Sequence, residues 1–189
     1  MSDSMEKRGI LDLLDLTLLD LSASEEDLAE ICDLASRHRT AAVCVFTEHA
    51  GFVKGRIDPV VSLVLVAGGF PRGSDSPDEI FDAVSEAASK GADEIDCVLE
   101  PNDDPSFPGH SELAKLIAMR EASQGLILKV ILEAPLLDER RLRAVTRMAL
   151  ATGADFVKSC TGKRGGCSDE VAAIMAEEVS RHCLSFEGR

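Results

Sequence analysis

The chain alternates between short apolar runs and longer segments with a helical repeat of apolar residues. The short runs are rich in Val, Ile and Leu, which is typical of strands buried on both faces. The predicted strands cover residues 13–19, 41–46, 60–67, 94–99, 126–133 and 156–160. Because a helical segment follows every strand except the second, the pattern predicts a parallel sheet covered by helices, an α/β fold.

Serine residues mark where several of the predicted helices begin. Ser24 precedes three acidic residues, Ser76 precedes Pro77, and Ser168 precedes the last helical segment. A serine at this position accepts a hydrogen bond from the first turn, and acidic side chains suit the positive end of the helix dipole. The predicted helices cover residues 24–39, 76–90, 111–123, 138–152 and 168–182. No linker divides these units, so the sequence predicts a single domain.

Charged residues interrupt four of the apolar strands. They are Asp15 in the first strand, Asp96 in the fourth, Lys129 in the fifth and Lys158 in the sixth. Since alternate residues of a strand face opposite ways, each is predicted to point away from the helices, toward the axis of a barrel. Burying an unpaired ion is costly, so this cluster indicates either an internal ion-pair network or a functional site.

Two lysines beside carboxylates suit Schiff-base chemistry. An unperturbed lysine has a pKa of about 10.4, so roughly 0.04% is neutral at pH 7. A second lysine or an apolar wall lowers that pKa and makes the amine available to attack a carbonyl. A carboxylate nearby can carry the protons that imine formation moves. On the residues alone, this chemistry is one option among several.

The net charge limits the kinds of partner that the chain is expected to bind. The chain has 34 Asp and Glu against 20 Lys and Arg, a formal net charge of −14. An acidic chain repels nucleic-acid phosphates and anionic membrane surfaces, and no apolar run reaches the length of a membrane span. We therefore expect neither nucleic acid nor a membrane as a partner.

Cysteine usage indicates a reducing compartment. Four of the six cysteines lie mostly within apolar runs, which predicts buried thiols rather than disulfides; these are Cys32, Cys44, Cys97 and Cys160. The N-terminus shows no secretory signal pattern, and no cysteine or histidine pair has zinc-ligand spacing. The expected location is the cytoplasm.

Six motifs resemble those of the deoxyribose-phosphate aldolases. In the family's order they are LDLTLL with SEED at 14–27, AAVCVF at 41–46, GFPRG at 69–73, GADEIDCVL at 91–99, LKVILE at 128–133 and GADFVKSCTGK at 153–163. The resemblance implies a class I aldolase on a TIM barrel that needs no metal or other cofactor. It would cleave the sugar phosphate 2-deoxy-D-ribose 5-phosphate, reversibly, to two aldehydes: acetaldehyde and D-glyceraldehyde 3-phosphate. This reaction belongs to deoxyribonucleotide catabolism.

The resemblance also implies roles for single residues. Lys158 would be the Schiff-base nucleophile, Asp96 the general acid and base acting through water, and Lys129 a lysine near the reaction centre. The residues implied to contact the substrate are Asp15 and Thr17 on the first strand, Cys44 on the second, and Gly162 and Lys163 in the phosphate-holding loop after the sixth.

Plainer roles stay open for some of these residues. Cys44 suits simple packing, Thr17 suits packing or a hydrogen bond within its strand, and Lys163 with Arg164 suits a solvated loop. Three positions depart from the family's usual residues: Cys160 replaces Ser, Pro135 replaces Gly and Thr47 replaces Pro.

The family's barrel has eight strands, and we expect residues 1–189 to form one (β/α) barrel domain lacking the last two strand–helix units. The second active-site lysine and the glycine-rich phosphate loops would belong to those units, so weak or absent activity is expected. Six strands cannot close such a barrel, which favours a homo-oligomer or a completing chain. Two rival hypotheses are a non-catalytic relative acting in binding or assembly, and another Schiff-base or sugar-phosphate lyase on this scaffold.

Overall fold

The structure, a computed structural model, describes residues 9–187, with side chains described as far as residue 183. Six strands form one sheet whose spatial order follows the chain. They are β1 (Asp15–Leu18), β2 (Ala42–Phe46), β3 (Ser62–Ala67), β4 (Glu94–Val98), β5 (Ile127–Ile131) and β6 (Phe156–Lys158). The pairs β1–β2, β2–β3 and β5–β6 are parallel, as the sequence predicts.

Helices follow the strands and occupy the predicted segments. They are α1 (Glu25–His38), α2 (Ala50–Lys54), α3 (Pro77–Ser89), α4 (His110–Ala122), α5 (Glu139–Ala151) and α6 (Asp169–Glu187). Short 3-10 turns at Thr47–His49 and Ala134–Leu136, together with α2, are not predicted from the sequence. Within residues 9–187, no helix is long and apolar enough to cross a membrane.

The strand ends differ from the prediction in one way that matters for the site. β5 ends at Ile131 and β6 at Lys158, two residues short of the predicted ends. Glu133 and Cys160 therefore lie in loops rather than on strand faces. Cys160 is also only half-buried, so the prediction that it is a buried thiol is wrong, whereas Cys32, Cys44 and Cys97 are buried.

The first of two compact units comprises residues 9–66 and 86–95 of the described chain. Ser24 caps α1 as predicted: its hydroxyl accepts from the amide of Asp27, whose carboxylate accepts from the amide of Ser24. This capping box satisfies amides that the first helical turn leaves open. The buried face of α1 contains Leu28, Ile31, Cys32 and Ala35.

The second unit comprises residues 67–85 and 96–187. Its last two helices, α5 and α6, are joined by a buried ion pair. The carboxylate of Glu178, 1% exposed, accepts hydrogen bonds from Arg143 at 2.9 Å and from Arg181 at 3.0 Å. A buried carboxylate needs such partners, so these contacts hold α6 against α5.

Gly73, in the loop after β3, packs its backbone directly against the chain that leaves β4. A Cβ atom at residue 73 would lie 2.6 Å from the carbonyl oxygen of Val98 and 2.7 Å from the amide nitrogen of Glu100. Both are backbone atoms that cannot rotate away. We expect Gly73→Ala to lower the free energy of unfolding by about 1–3 kcal/mol, seen as a lower urea midpoint.

Gly51 in α2 provides the control, because a Cβ there meets no atom within 4 Å. Gly51→Ala should leave the urea midpoint unchanged or raise it, since alanine favours helix. If Gly73→Ala unfolds at the same urea concentration as the unmodified chain, the close backbone contact between Gly73 and the segment after β4 would be refuted.

Candidate active site

An ion pair joins β4 to β6 over the face of the strand between them. Nζ of Lys158 donates a hydrogen bond to Oδ2 of Asp96. The Asp96 side chain is 1% exposed and that of Lys158 is 31% exposed. Since β5 separates β4 from β6 in the sheet, the two side chains meet above it. A buried carboxylate thus holds an amine that a dissolved molecule can reach.

The register of β5 and β6 places the second lysine on the same face. Lys129 lies opposite Phe156, and Ile131 lies opposite Lys158. Because residues two apart share a strand face, Lys129 and Lys158 point the same way. Lys129 is 5% exposed, and its Nζ lies 5.8 Å from the centre of the Phe156 ring, within cation–π range. Of the four charges predicted to cluster, Asp96 and Lys158 are in contact, and Lys129 lies on the same face of the sheet as Lys158.

Cys97, the next residue after Asp96, points to the opposite face of β4. Cys97 is fully buried, and a Cβ atom added at Gly68 would lie only 2.5 Å from its Sγ. Burial raises the pKa of the Cys97 thiol to about 12, and the Asp96 carboxylate adds to the shift. Near neutral pH this thiol therefore stays protonated and uncharged.

The candidate residues of the first unit form a group of their own. Asp15 and Thr17 share one face of β1, and the parallel register places Thr17 opposite Cys44 on β2. The Thr17 hydroxyl donates to the carbonyl oxygen of Asp15 at 3.0 Å, which is the hydrogen bond within the strand considered above. Cys44 is 1% exposed.

The loop after β6, residues 159–166, contains both predicted phosphate-binding residues; we call it the β6 loop. Gly162 has a φ of 72°, in the left-handed region that glycine tolerates. Lys163 is exposed, and its amide donates to the Thr161 hydroxyl at 3.2 Å. Arg164 differs from a solvated loop residue, because its guanidinium donates to both carboxylate oxygens of Glu100 at 2.7 and 2.8 Å.

Sequence reasoning missed the role of Glu133, which it treated as a strand residue. Glu133 is fully buried and has left-handed backbone angles, φ 46° and ψ 46°, uncommon for a residue other than glycine. Its Oε1 accepts a hydrogen bond from the Thr161 amide at 2.6 Å. One feature of the sequence could have pointed to Glu133: it is a carboxylate directly after a buried apolar strand and before Ala134 and Pro135.

Metal ligation has no candidate among the described side chains. In residues 9–183, no three His, Cys, Asp or Glu side chains are grouped so that they could hold a metal ion.

Comparison with known proteins finds a matching family model and similar sequences. Residues 11–185 match the model of the DeoC/LacD family of aldolases. The chain is 36% identical over 185 residues to the deoxyribose-phosphate aldolase of Corynebacterium jeikeium, covering 93% of this chain and 74% of that one. It is 32% identical to the deoxyribose-phosphate aldolase of Finegoldia magna, covering 88% and 79%.

Solved structures give the same result for the fold. The deoxyribose phosphate aldolase of Aeropyrum pernix, described as tetrameric, superposes with a TM-score of 0.79 at 25% identity, covering 93% of this chain and 74% of that one. The α/β fold class predicted from the sequence is thereby confirmed.

Proposed function

The chain belongs to the DeoC/LacD family of aldolases, and on that basis we propose that it cleaves 2-deoxy-D-ribose 5-phosphate, reversibly, through a Schiff base on Lys158. The products are acetaldehyde and D-glyceraldehyde 3-phosphate. The observation that carries the proposal is the ion pair over β5, in which a buried carboxylate holds a reachable lysine. Relatives named deoxyribose-phosphate aldolase support the choice of substrate.

Imine formation is the first task of the site. The neutral amine of Lys158 attacks the aldehyde carbon of the open-chain sugar, and the resulting carbinolamine loses water. Asp96 takes the proton from the attacking nitrogen and returns one to the departing hydroxyl, directly or through a water molecule. Its contact with Lys158 supports this role, because the carboxylate lies beside the nitrogen that loses the first proton.

Cleavage follows from the charge on the imine. The protonated imine draws electrons from the bond between C2 and C3, and a base removes the proton of the C3 hydroxyl as that bond breaks. Glyceraldehyde 3-phosphate leaves, and the two remaining carbons stay on Lys158 as an enamine. Protonation at C2 and addition of water then release acetaldehyde and restore the amine.

Lys129 is proposed to act as a second positive charge beside the reaction centre, because it lies on the same face of the sheet as Lys158. Lys129 is only 5% exposed, too buried for the sugar phosphate to reach. Its contribution to the reaction is therefore electrostatic.

Substrate contacts come from the remaining candidates. Gly162 and Lys163 of the β6 loop bind the phosphate, while Asp15, Thr17 and Cys44 line the sugar. The partners are small molecules, the sugar phosphate and its aldehyde products, and no cofactor takes part. The Aeropyrum pernix structure supports self-association of this chain as well. We place the reaction in the cytoplasm, in the catabolism of deoxyribonucleotide sugars.

Reductive trapping tests the proposal without requiring full turnover. The chain is incubated with acetaldehyde, reduced with borohydride, digested and analysed by mass spectrometry. We expect one reduced adduct for each chain, located at Lys158, because borohydride converts the imine to a stable secondary amine. The exposed Lys54 and Lys90 are internal controls and should carry no adduct. A folded chain without any adduct would contradict the proposal and favour the non-catalytic relative.

A further inference from the structure

Two carboxylates from different loops hold the β6 loop on either side of Gly162 and Lys163. Glu133, just after β5, binds the backbone at Thr161, and Glu100, just after β4, binds the side chain of Arg164. Gly162 and Lys163, the proposed phosphate-binding residues, lie between these two attachments. The loop itself contains little that would hold it in place, because it has a glycine at 162, 165 and 166.

The attachment by Glu133 is built from a strained and buried residue. A left-handed backbone at a residue other than glycine costs energy and persists only where the surroundings require it. Here it turns the carboxylate back toward the β6 loop. Oε1 binds the Thr161 amide, while Oε2 is buried and has no hydrogen-bond partner among the described residues. Strain together with a buried acceptor indicates a residue kept for position rather than for packing.

The attachment by Glu100 connects three loops. Its carboxylate accepts both hydrogen bonds from Arg164 and one from the Gly73 amide at 3.3 Å, and Arg72 lies at 3.9 Å. Both hydrogen bonds come from Nη1 of Arg164, and a hydrogen bond between two ionised groups is stronger than one between neutral groups. The Glu100 side chain is 17% exposed and that of Arg164 22%, so water weakens this contact little.

We propose that Glu133 and Glu100 are positioning residues that set the affinity of the β6 loop for the substrate phosphate. A loop already held in its binding conformation loses less entropy when the anion binds. The two carboxylates themselves do not contact the phosphate, because the Thr161 amide and Arg164 occupy them. This inference rests on the proposed function, since it assigns the phosphate end of the same substrate.

Four variants test it. Glu133→Ala removes the acceptor for the Thr161 amide, and Glu133→Gln keeps an acceptor oxygen of the same reach. Glu100→Gln weakens the Arg164 attachment. Glu121→Gln, on the exposed side of α4, removes one negative charge elsewhere and is the matched control. The readouts are the dissociation constant of inorganic phosphate, by calorimetry, and amide hydrogen exchange of the β6 loop, by mass spectrometry.

We expect Glu133→Ala and Glu100→Gln each to speed exchange in the β6 loop and to weaken phosphate binding by about tenfold, the effect of one good hydrogen bond. Glu133→Gln should recover most of both losses, and Glu121→Gln should change neither. Trapping of acetaldehyde on Lys158 should be equal in all four variants. A failure of that trapping concerns the proposed function, whereas phosphate binding concerns this inference.

Three results would overturn the inference. One is faster loop exchange with unchanged phosphate affinity, which would mean that the attachments are structural only. Another is tighter phosphate binding by Glu100→Gln, which would mean that Glu100 competes with phosphate for Arg164. The third is no measurable phosphate binding by the unmodified chain. If Glu133→Ala does not fold, Glu100→Gln and its control still decide.

Discussion

Replacing Lys158 by alanine is expected to abolish the reductively trapped adduct and to reduce retro-aldol cleavage of 2-deoxy-D-ribose 5-phosphate by roughly 10⁴-fold or more. The reason is that every intermediate of the proposed reaction is covalently attached to Nζ of Lys158. No carboxylate can replace an amine in forming an imine. The measurements are borohydride trapping and the rate of acetaldehyde release, read by coupled oxidation.

Two comparisons make the Lys158 result specific. Lys90→Ala removes an exposed lysine that pairs with Glu86 at 2.8 Å, and it should leave trapping and cleavage unchanged. Lys129→Ala removes the other lysine of the site face and should slow trapping without abolishing it. If Lys158→Ala still forms an adduct and the adduct maps to Lys129, the two lysines have the opposite roles. An unchanged cleavage rate in Lys158→Ala would refute the Schiff base altogether.

The parts of this structure that the sequence predicts are those governed by local physics. Apolar periodicity identifies the strands and helices, and alternation along a strand explains why Lys129 and Lys158 face one way. The capping serines are local too: Ser24, Ser76 and Ser168 each accept from an amide three residues ahead. Each of these features depends on neighbours within about one helical turn.

Features that depend on distant partners escape such reasoning. Glu133 takes its left-handed conformation beside the Thr161 amide, 28 residues away in the chain. Arg164 and Glu100 are 64 residues apart in the chain, and neither strand nor helix periodicity predicts the hydrogen bond between them. The early ends of β5 and β6 are not predicted either. The segments after Ile131 and Lys158 stay hydrogen-bonded but lose the regular register, since the Ala134 amide donates to the carbonyl oxygen of Ser159 and Glu133 has left-handed backbone angles.

Asp96→Asn should separate proton transfer from imine formation. Asparagine keeps the size of the side chain and an oxygen that can accept the Lys158 hydrogen bond, but it can neither take nor give the catalytic proton. We expect the cleavage rate to fall by about 10²–10⁴-fold, the usual contribution of a positioned acid or base. The acetaldehyde adduct on Lys158 should still form, only more slowly, because buffer can supply the protons over a long incubation.

This split between turnover and trapping distinguishes Asp96 from Lys158, whose removal abolishes both. Asp155→Asn is the matched control: its carboxylate also lies at a strand, accepting from the Leu128 amide at 2.8 Å and from Arg120 at 2.9 Å. That variant loses a structural contact, so it should unfold at a lower urea concentration while its folded form cleaves the substrate normally. A cleavage rate for Asp96→Asn within about tenfold of the unmodified chain would leave the buried carboxylate as a counter-ion only, since acid–base catalysis contributes more than that. The proton carrier would then have to be a water molecule or the substrate phosphate.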